Sequence, residues 1–310
     1  MTQNNTYTTE TVLISGASGM LGSALKEALR EAGTGVVQLV RRPSAHCCEM
    51  QWDGKSALDD EKFRKGFSAA IHLSGANVAA HRWNAAYRRE IRESRVATTR
   101  NLARALAALP QPPAVMLVAS ATGIYGNRAD EVLNEDSPPG NGFLADLCRD
   151  WEAAAQPARD AGIRVVHLRF GVVLSAGAGA LGKMTPLFRL GLGGPLGSGR
   201  QWISWIGMPD LVQAVLFLLR APHLAGPFNI VAPHPVTNAE FTRALARALH
   251  RPAFLRAPAF ALRLALGPMA DETLLSSARV LPQRLLDAGF HFAGPTLDQA
   301  LPAALEAADH

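Results

Sequence analysis

Five short, nearly uninterrupted apolar runs recur along this chain, at 11–15, 36–40 (VVQLV), 68–73 (SAAIHL), 115–120 (VMLVAS) and 163–170 (IRVVHLRF). A strand with one face in water alternates polar with apolar residues, whereas a strand covered on both faces stays apolar. Stretches with helical periodicity separate the runs, so the order predicts a doubly wound α/β domain: a parallel sheet with helices on both faces. Helices are expected over about 84–108 and 143–161. A further helix (210–220) and strand (226–231) return to the same sheet.

After Val173 the texture changes. SAGAGALGKM and LGLGGPLGSGRQW are rich in glycine and predict irregular backbone. From Ala232 onward, helical patterns are punctuated by prolines. The division that follows is a sheet domain of residues 1–173 and 207–231 and a smaller, discontinuous, mainly helical domain of 174–206 and 232–310. With 48% hydrophobic and 18% charged residues in 310, the chain can bury a sizeable core. No apolar run approaches the roughly 20 residues of a membrane span, and MTQNNTYTTE lacks the pattern of a signal peptide. Three cysteines make an odd count, which with the missing leader points to a reduced, cytoplasmic setting.

The formal charge of +5 is modest and spread along the chain, so neither nucleic acid nor a membrane is an expected partner. One concentration is HRWNAAYRREIRESR, where Arg88, Arg92 and Arg95 share a helix face. A solvated or subunit-facing surface is the expectation there, with phosphate capture the alternative. The nine histidines and the cysteines show no metal-ligand spacing, so no metal is expected.

The first run leads into VLISGASGMLGSAL, with glycines at 16, 19 and 22. Glycine serves where a chain turns with positive φ or where backbone must approach a ligand or a neighbouring strand closely. Because the motif follows a strand and opens a helix, it predicts a Rossmann-type dinucleotide site with the pyrophosphate on the helix N-terminus. The second strand ends in LVRRPS, without the carboxylate that usually accepts from an NAD ribose. Arg41 and Arg42 suit a 2′-phosphate instead, so NADP(H) is expected over NAD(H).

In this order GASGMLG, HLSGANV (72–78), SATGIYG (120–126) and NEDSPP (134–139) resemble the extended short-chain dehydrogenases/reductases. CRDWEAA (148–154), LRFGVVL (168–174), GSGRQWISWI (197–206) and the segment from about 250 to 300 bring the chain closer to an atypical branch, the "epimerase family" proteins. The resemblance covers nearly the whole chain. It implies that Gly16, Ser18, Gly19, Met20 and Leu21 line the pyrophosphate, that Arg41 and Arg42 face the adenosine end, and that Leu73, Ser74 and Gly75 pass beside the coenzyme. It also implies a polarising hydroxyl before Tyr-Gly, either Ser120 or Thr122, and a possible homodimer.

The chain departs from that family at its acid/base centre, a Tyr with a Lys four residues later on one helix. Tyr7, Tyr87 and Tyr125 are followed at that spacing by Thr11, Ile91 and Ala129. After NEDSPP, Phe143 or Leu144 stands for the tyrosine and Leu147 or Cys148 for the lysine. Tyr125 and Asp146 are the substitute acid/base candidates; the alternatives are packing behind the coenzyme for Tyr125 and solvation for Asp146. Cys148, His167 and Asp210 read as structural: a buried thiol, a satisfied histidine and a carboxylate favoured by a helix dipole. Arg200, Trp202 and Trp205 suit either a substrate with anionic or planar groups or a domain-packing cluster. Two functions remain open: an NADP-dependent oxidoreductase or epimerase on a small or nucleotide-linked hydroxyl/carbonyl compound, and a non-catalytic NADP(H)-sensing or partner-binding module.

Overall fold

The computed structural model describes residues 10–56, 58, 61–175 and 177–306. Tyr7 and most of the stretch read for a signal peptide lie outside the described residues. Seven strands form one sheet: β1 (Thr11–Ser15), β2 (Gly35–Val40), β3 (Glu49–Gln51), β4 (Ala69–His72), β5 (Val115–Ala121), β6 (Arg164–Phe170) and β7 (Gly226–Ile230). They lie in the order β7-β6-β5-β4-β1-β2-β3, and every neighbouring pair is parallel. The winding reverses at β1, so a crevice opens past the C-terminal ends of β1 and β4, where such sheets take ligands. Leu13, Ile14, Ala70, Ile71, Met116 and Leu117 in the central strands are at most 1% exposed. Burial on both faces is what makes these strands read as continuous apolar runs.

The helices are α1 (Met20–Glu31), α2 (Ala85–Ala107), α3 (Phe143–Ala153), α4 (Gly179–Arg189), α5 (Met208–Arg220), α6 (Asn238–Ala248), α7 (Ala259–Leu266) and α8 (Leu297–Glu306), with shorter helical turns between them. α1 packs beside α5, and α2 beside α3, one group for each face of a doubly wound sheet. The single helix expected over 143–161 is two: α3 ends at Ala153, and Gln156–Asp160 restarts with Pro157 in its first turn. Proline lacks the amide that an uninterrupted helix needs there. The glycine-rich stretch after Val173, expected to be irregular, contains α4. Its Leu181, Thr185 and Phe188 repeat at helical spacing and are buried, so tertiary burial overrides the glycines around them. The edge strand β3 is too short to show in the sequence.

A second core joins Leu174, Leu181, Phe188 and Trp205 to Phe241, Leu245 and Leu301. Leu285 and Phe290 instead pack into the core of the sheet, so the chain crosses back within the stretch assigned to the second domain. Asp210 does stand in the first turn of α5, but its carboxylate accepts from the amides of Ala293 (2.7 Å) and Gly294 (3.0 Å). It ties the returning segment to the sheet domain in addition to facing the helix dipole.

Candidate active site and coenzyme crevice

The turn after β1 is shaped by three glycines with three different reasons. Gly16 has φ +73°, and a Cβ on it would stand 2.9 Å from the Leu73 carbonyl carbon. A Cβ on Gly22 would stand 2.2 Å from the Gly16 oxygen, so α1 can press onto the turn only through glycine. Gly19 meets nothing closer than 3.4 Å: no protein contact demands glycine there. It is the N-cap of α1, no side chain caps the helix, and Ser18 and Gly19 are exposed. The first-turn amides of Met20 and Leu21 have no side-chain cap and are donors for an anion. Leu73 and Ser74 run against Gly16, and Gly75 is exposed beside them. The structure thus brings together Gly16, Ser18, Gly19, Met20, Leu21, Leu73, Ser74 and Gly75 at the end of β1 and β4.

At the tip of β2 the two arginines differ. Arg42 donates to Glu49 on β3 from Nη1 (2.8 Å) and Nη2 (2.5 Å), so the carboxylate missing from LVRRPS is supplied by a neighbouring strand. Hydrogen bonds from Arg42 and from the Ala45 amide hold the Glu49 carboxyl down to about 2. Arg41 is exposed, and its side chain makes no hydrogen bond or ion pair among the described residues. Of the pair, Arg41 is the guanidinium available to a phosphate.

The acid/base candidates Tyr125 and Asp146 and the hydroxyl candidate Ser120 are each bonded to other side chains. Tyr125 is fully buried; its hydroxyl donates to Asn229 Oδ1 (2.8 Å) and accepts from Arg169 Nη1 (2.9 Å). Burial pushes the phenol above its ordinary value despite the neighbouring guanidinium. Tyr125 is a core residue, not an acid facing the crevice. Ser120 is 2% exposed and donates to Glu152 Oε1 at 2.7 Å, so its proton is held by that carboxylate. Asp146 is half-buried and ion-paired with Arg149 one turn along α3. Thr122, at the start of a 3-10 turn after β5, is half-buried and has no side-chain hydrogen bond among the described residues. Burial pushes the Cys148 thiol up to about 12, which silences it as a nucleophile. His167 is only half satisfied: one ring nitrogen meets Arg159 (2.8 Å) and the other is buried without a partner.

Trp202 donates from Nε1 to Asp130 (2.8 Å), with the Arg279 guanidinium 4.3 Å from its ring centroid. Trp205 is fully buried and donates to the His234 carbonyl. Both therefore take the packing role, while Arg200 is exposed.

The structure gives the α2 arginines a setting that the sequence did not specify. The arginine face of α2 lies against α3, with Arg88, Arg92 and Arg95 each half-buried. Arg92 pairs with Asp150, Arg88 lies over the rings of Trp83 (5.6 Å) and Phe143 (5.2 Å), and Arg95 over Trp151 (5.1 Å). Arg88 Nε is buried without a partner. A Cβ on Gly75 would touch the Arg95 guanidinium at 3.0 Å, so this cation lies against the loop that closes the crevice. No carboxylate pairs with Arg95 among the described residues, and burial lowers its pKa from the ordinary value. A signal existed: Arg88 and Arg95 are seven apart, as are Leu144 and Trp151 on α3, so both seams could have been read as facing stripes.

Residues 12–231 match the model of the NAD dependent epimerase/dehydratase family, and 257–304 match a domain of unknown function. An epimerase family protein of Mycobacterium bovis is 46% identical over 94% of this chain and 96% of its own. The human epimerase family protein SDR39U1 is 38% identical over 94% and 98%. A crystal structure of the human protein (isoform 2), described as holding NADPH, superposes with a TM-score of 0.88 at 36% identity, covering 96% of this chain and 99% of that one. A nucleoside-diphosphate sugar epimerase from Corynebacterium glutamicum gives 0.79 at 35% identity, covering 96% of this chain and 58% of that one. With the glycine turn, the sheet order and these matches in agreement, the chain belongs to the NAD-dependent epimerase/dehydratase family, among its epimerase family proteins.

Proposed function

We propose that this protein binds NADP(H) in the crevice at β1 and β4 and acts as an oxidoreductase on a small hydroxyl or carbonyl compound carrying an anionic group. The observation that carries the reading is the cradle itself: an uncapped α1, open space at Gly19, and backbone pressed together at Gly16 and Gly22. The residues present fit the coenzyme. Amides of Met20 and Leu21 would hold the pyrophosphate and Arg41 the 2′-phosphate. The NADPH described in the human relative's structure supports the choice of NADP(H) over NAD(H). When bound, the nicotinamide supplies or accepts the hydride.

This chain contributes charge more than proton transfer. Tyr125 and Ser120 are buried in side-chain hydrogen bonds, and Arg95 offers a partly desolvated positive charge that no carboxylate among the described residues pairs. Such a fixed charge stabilises an anionic substrate group or developing oxyanion more than it would in water. Titration calorimetry with NADPH and NADH, followed by turnover assays on carbonyl and nucleotide-sugar panels, tests the reading. Tight NADPH binding with no turnover on any panel would sink the enzymatic part. That outcome would favour the second reading, a non-catalytic NADP(H)-sensing module, whose motive is that Ser120, Tyr125 and Asp146 are all engaged by other side chains.

A further inference from the structure

The positive charge of this protein is concentrated in two stretches of the chain. Residues 179–200 and 241–270 contain no Asp or Glu and carry eight Lys and Arg. Since the whole chain is +5, everything else sums to −3. The same two segments hold seven of the nine exposed large hydrophobic residues among those described, the others being Val132 and Leu286. Leu190, Phe254, Phe260 and Leu264 are each more than 70% exposed. Helix α7, AFALRLAL, is apolar at seven of eight positions and buries none of them.

These residues share one face. The loop after α4 is joined to the segment before α7 by the Leu255 amide on the Gly193 carbonyl (3.1 Å) and Arg251 Nε on the Arg189 carbonyl (3.0 Å). The chain then runs directly from Phe254 into α7, where Phe260 and Leu264 stand one turn apart on the outer side. Arg263 and Arg247 are matched by Asp271 and Asp298, while the Arg256 side chain has no partner among the described residues. Exposed aromatic and leucine side chains interleaved with Arg251 and Arg256, which no acid among the described residues pairs, are what an anionic headgroup layer complements. The apolar groups reach the acyl boundary and the guanidiniums meet lipid phosphates. A two-fold contact between copies would set this unbalanced charge against itself. No helix among the described residues is long and apolar enough to cross a membrane, so the contact is peripheral.

We propose that the face formed by the end of α4, residues 251–257 and α7 docks reversibly on an anionic lipid bilayer. Segment 79–82, which follows the crevice loop, touches both helices through Lys183 Nζ on the Ala79 carbonyl (3.3 Å) and Arg82 on the Leu264 carbonyl (3.2 Å). Docking would therefore bring the coenzyme side of the molecule near the bilayer.

The experiment is cosedimentation of the full chain with vesicles of phosphatidylglycerol and phosphatidylcholine, compared with vesicles of phosphatidylcholine alone. Binding at least about tenfold stronger to the anionic vesicles, falling as salt is raised, is the expected result. The double variant Phe260→Gln with Leu264→Gln should lose most of that binding, while Arg256→Gln should weaken the preference for anionic lipid. NADPH affinity and the thermal midpoint should be unchanged in both, which separates this outcome from any failure of the proposed activity. Absent or charge-indifferent vesicle binding overturns the proposal. So does a dimer in sedimentation velocity that the Phe260/Leu264 variant dissolves, because a second copy would then be the occupant.

Discussion

The Arg169 guanidinium on β6 holds the Glu152 carboxylate on α3 through two hydrogen bonds, Nε to Oε1 at 2.8 Å and Nη2 to Oε2 at 2.9 Å. Both side chains are buried, at 8% and 14% exposure. Ser120 completes Glu152, and Tyr125 with Asn229 extends the network from Arg169. Burial alone would raise the Glu152 carboxyl; the Arg169 hydrogen bonds and charge outweigh it and keep the group ionised below the usual carboxylate range. Ser120, Tyr125, Asn229, Glu152 and Arg169 together form a closed polar brace.

Breaking one side of that brace leaves a buried charge without its partner, which costs about 3–5 kcal/mol. Glu152→Gln should lower unfolding stability by that order, read from urea denaturation. Glu152→Leu combined with Arg169→Met should cost less than the sum of the two single changes. Additive losses would show that the pair does not act as a unit.

Tyr125→Phe should leave NADPH affinity unchanged, and any turnover with it, while costing roughly 1–3 kcal/mol of stability through the orphaned Asn229 oxygen. The check is kcat alongside a denaturation midpoint. Loss of kcat at unchanged stability would return the phenol to the reaction.

The glycine turn separates folding from binding. Gly22→Ala forces a Cβ to 2.2 Å from the Gly16 oxygen and should prevent a stable fold. Gly19→Ala has room in the free protein and should fold normally, yet lose about tenfold or more in coenzyme affinity because the added methyl occupies the ligand's side. Circular dichroism melts and calorimetry distinguish the two.

Arg41→Ala should weaken NADPH binding by about tenfold and leave NADH unchanged, as loss of a phosphate contact requires. Arg42→Ala should act differently. It releases Glu49, whose charge would then disfavour a nearby phosphate. Equal effects on both coenzymes from Arg41→Ala would argue against a 2′-phosphate site.

Acid sensitivity follows from two buried histidines. Burial lowers His72 and His167 to about 4, below the 6.5 of an unfolded chain. Between those values the unfolded state binds protons that the folded state refuses. Stability is therefore full above about pH 6.5 and erodes as pH falls toward 4, by at most about 1.4 kcal/mol per pH unit for each histidine. The urea midpoint should be lower near pH 5 than near pH 7.5, and a His72→Gln/His167→Gln variant should flatten the slope. Identical midpoints in the unaltered protein would contradict the assignment.

The sheet was legible because β1, β4, β5 and β6 are covered on both faces, and continuous burial writes itself into composition residue by residue. The coenzyme turn was legible because Gly16 and Gly22 are demanded by backbone contacts that no other residue can make, and the missing Tyr-Lys pair was plain at the same level. Sequence alone determined the winding, the glycine turn and that no tyrosine is followed by a lysine four residues later. What Tyr125, Ser120 and Arg95 do was decided by partners 20 to 104 positions away, since Asn229, Glu152, Arg169 and Gly75 approach them only when the chain folds. The Arg42–Glu49 pair likewise needed a three-residue edge strand whose pairing with β2 no local pattern signals. Local periodicity reports which face is buried; which polar group meets which is a property of three-dimensional neighbours, and only tertiary packing supplies those.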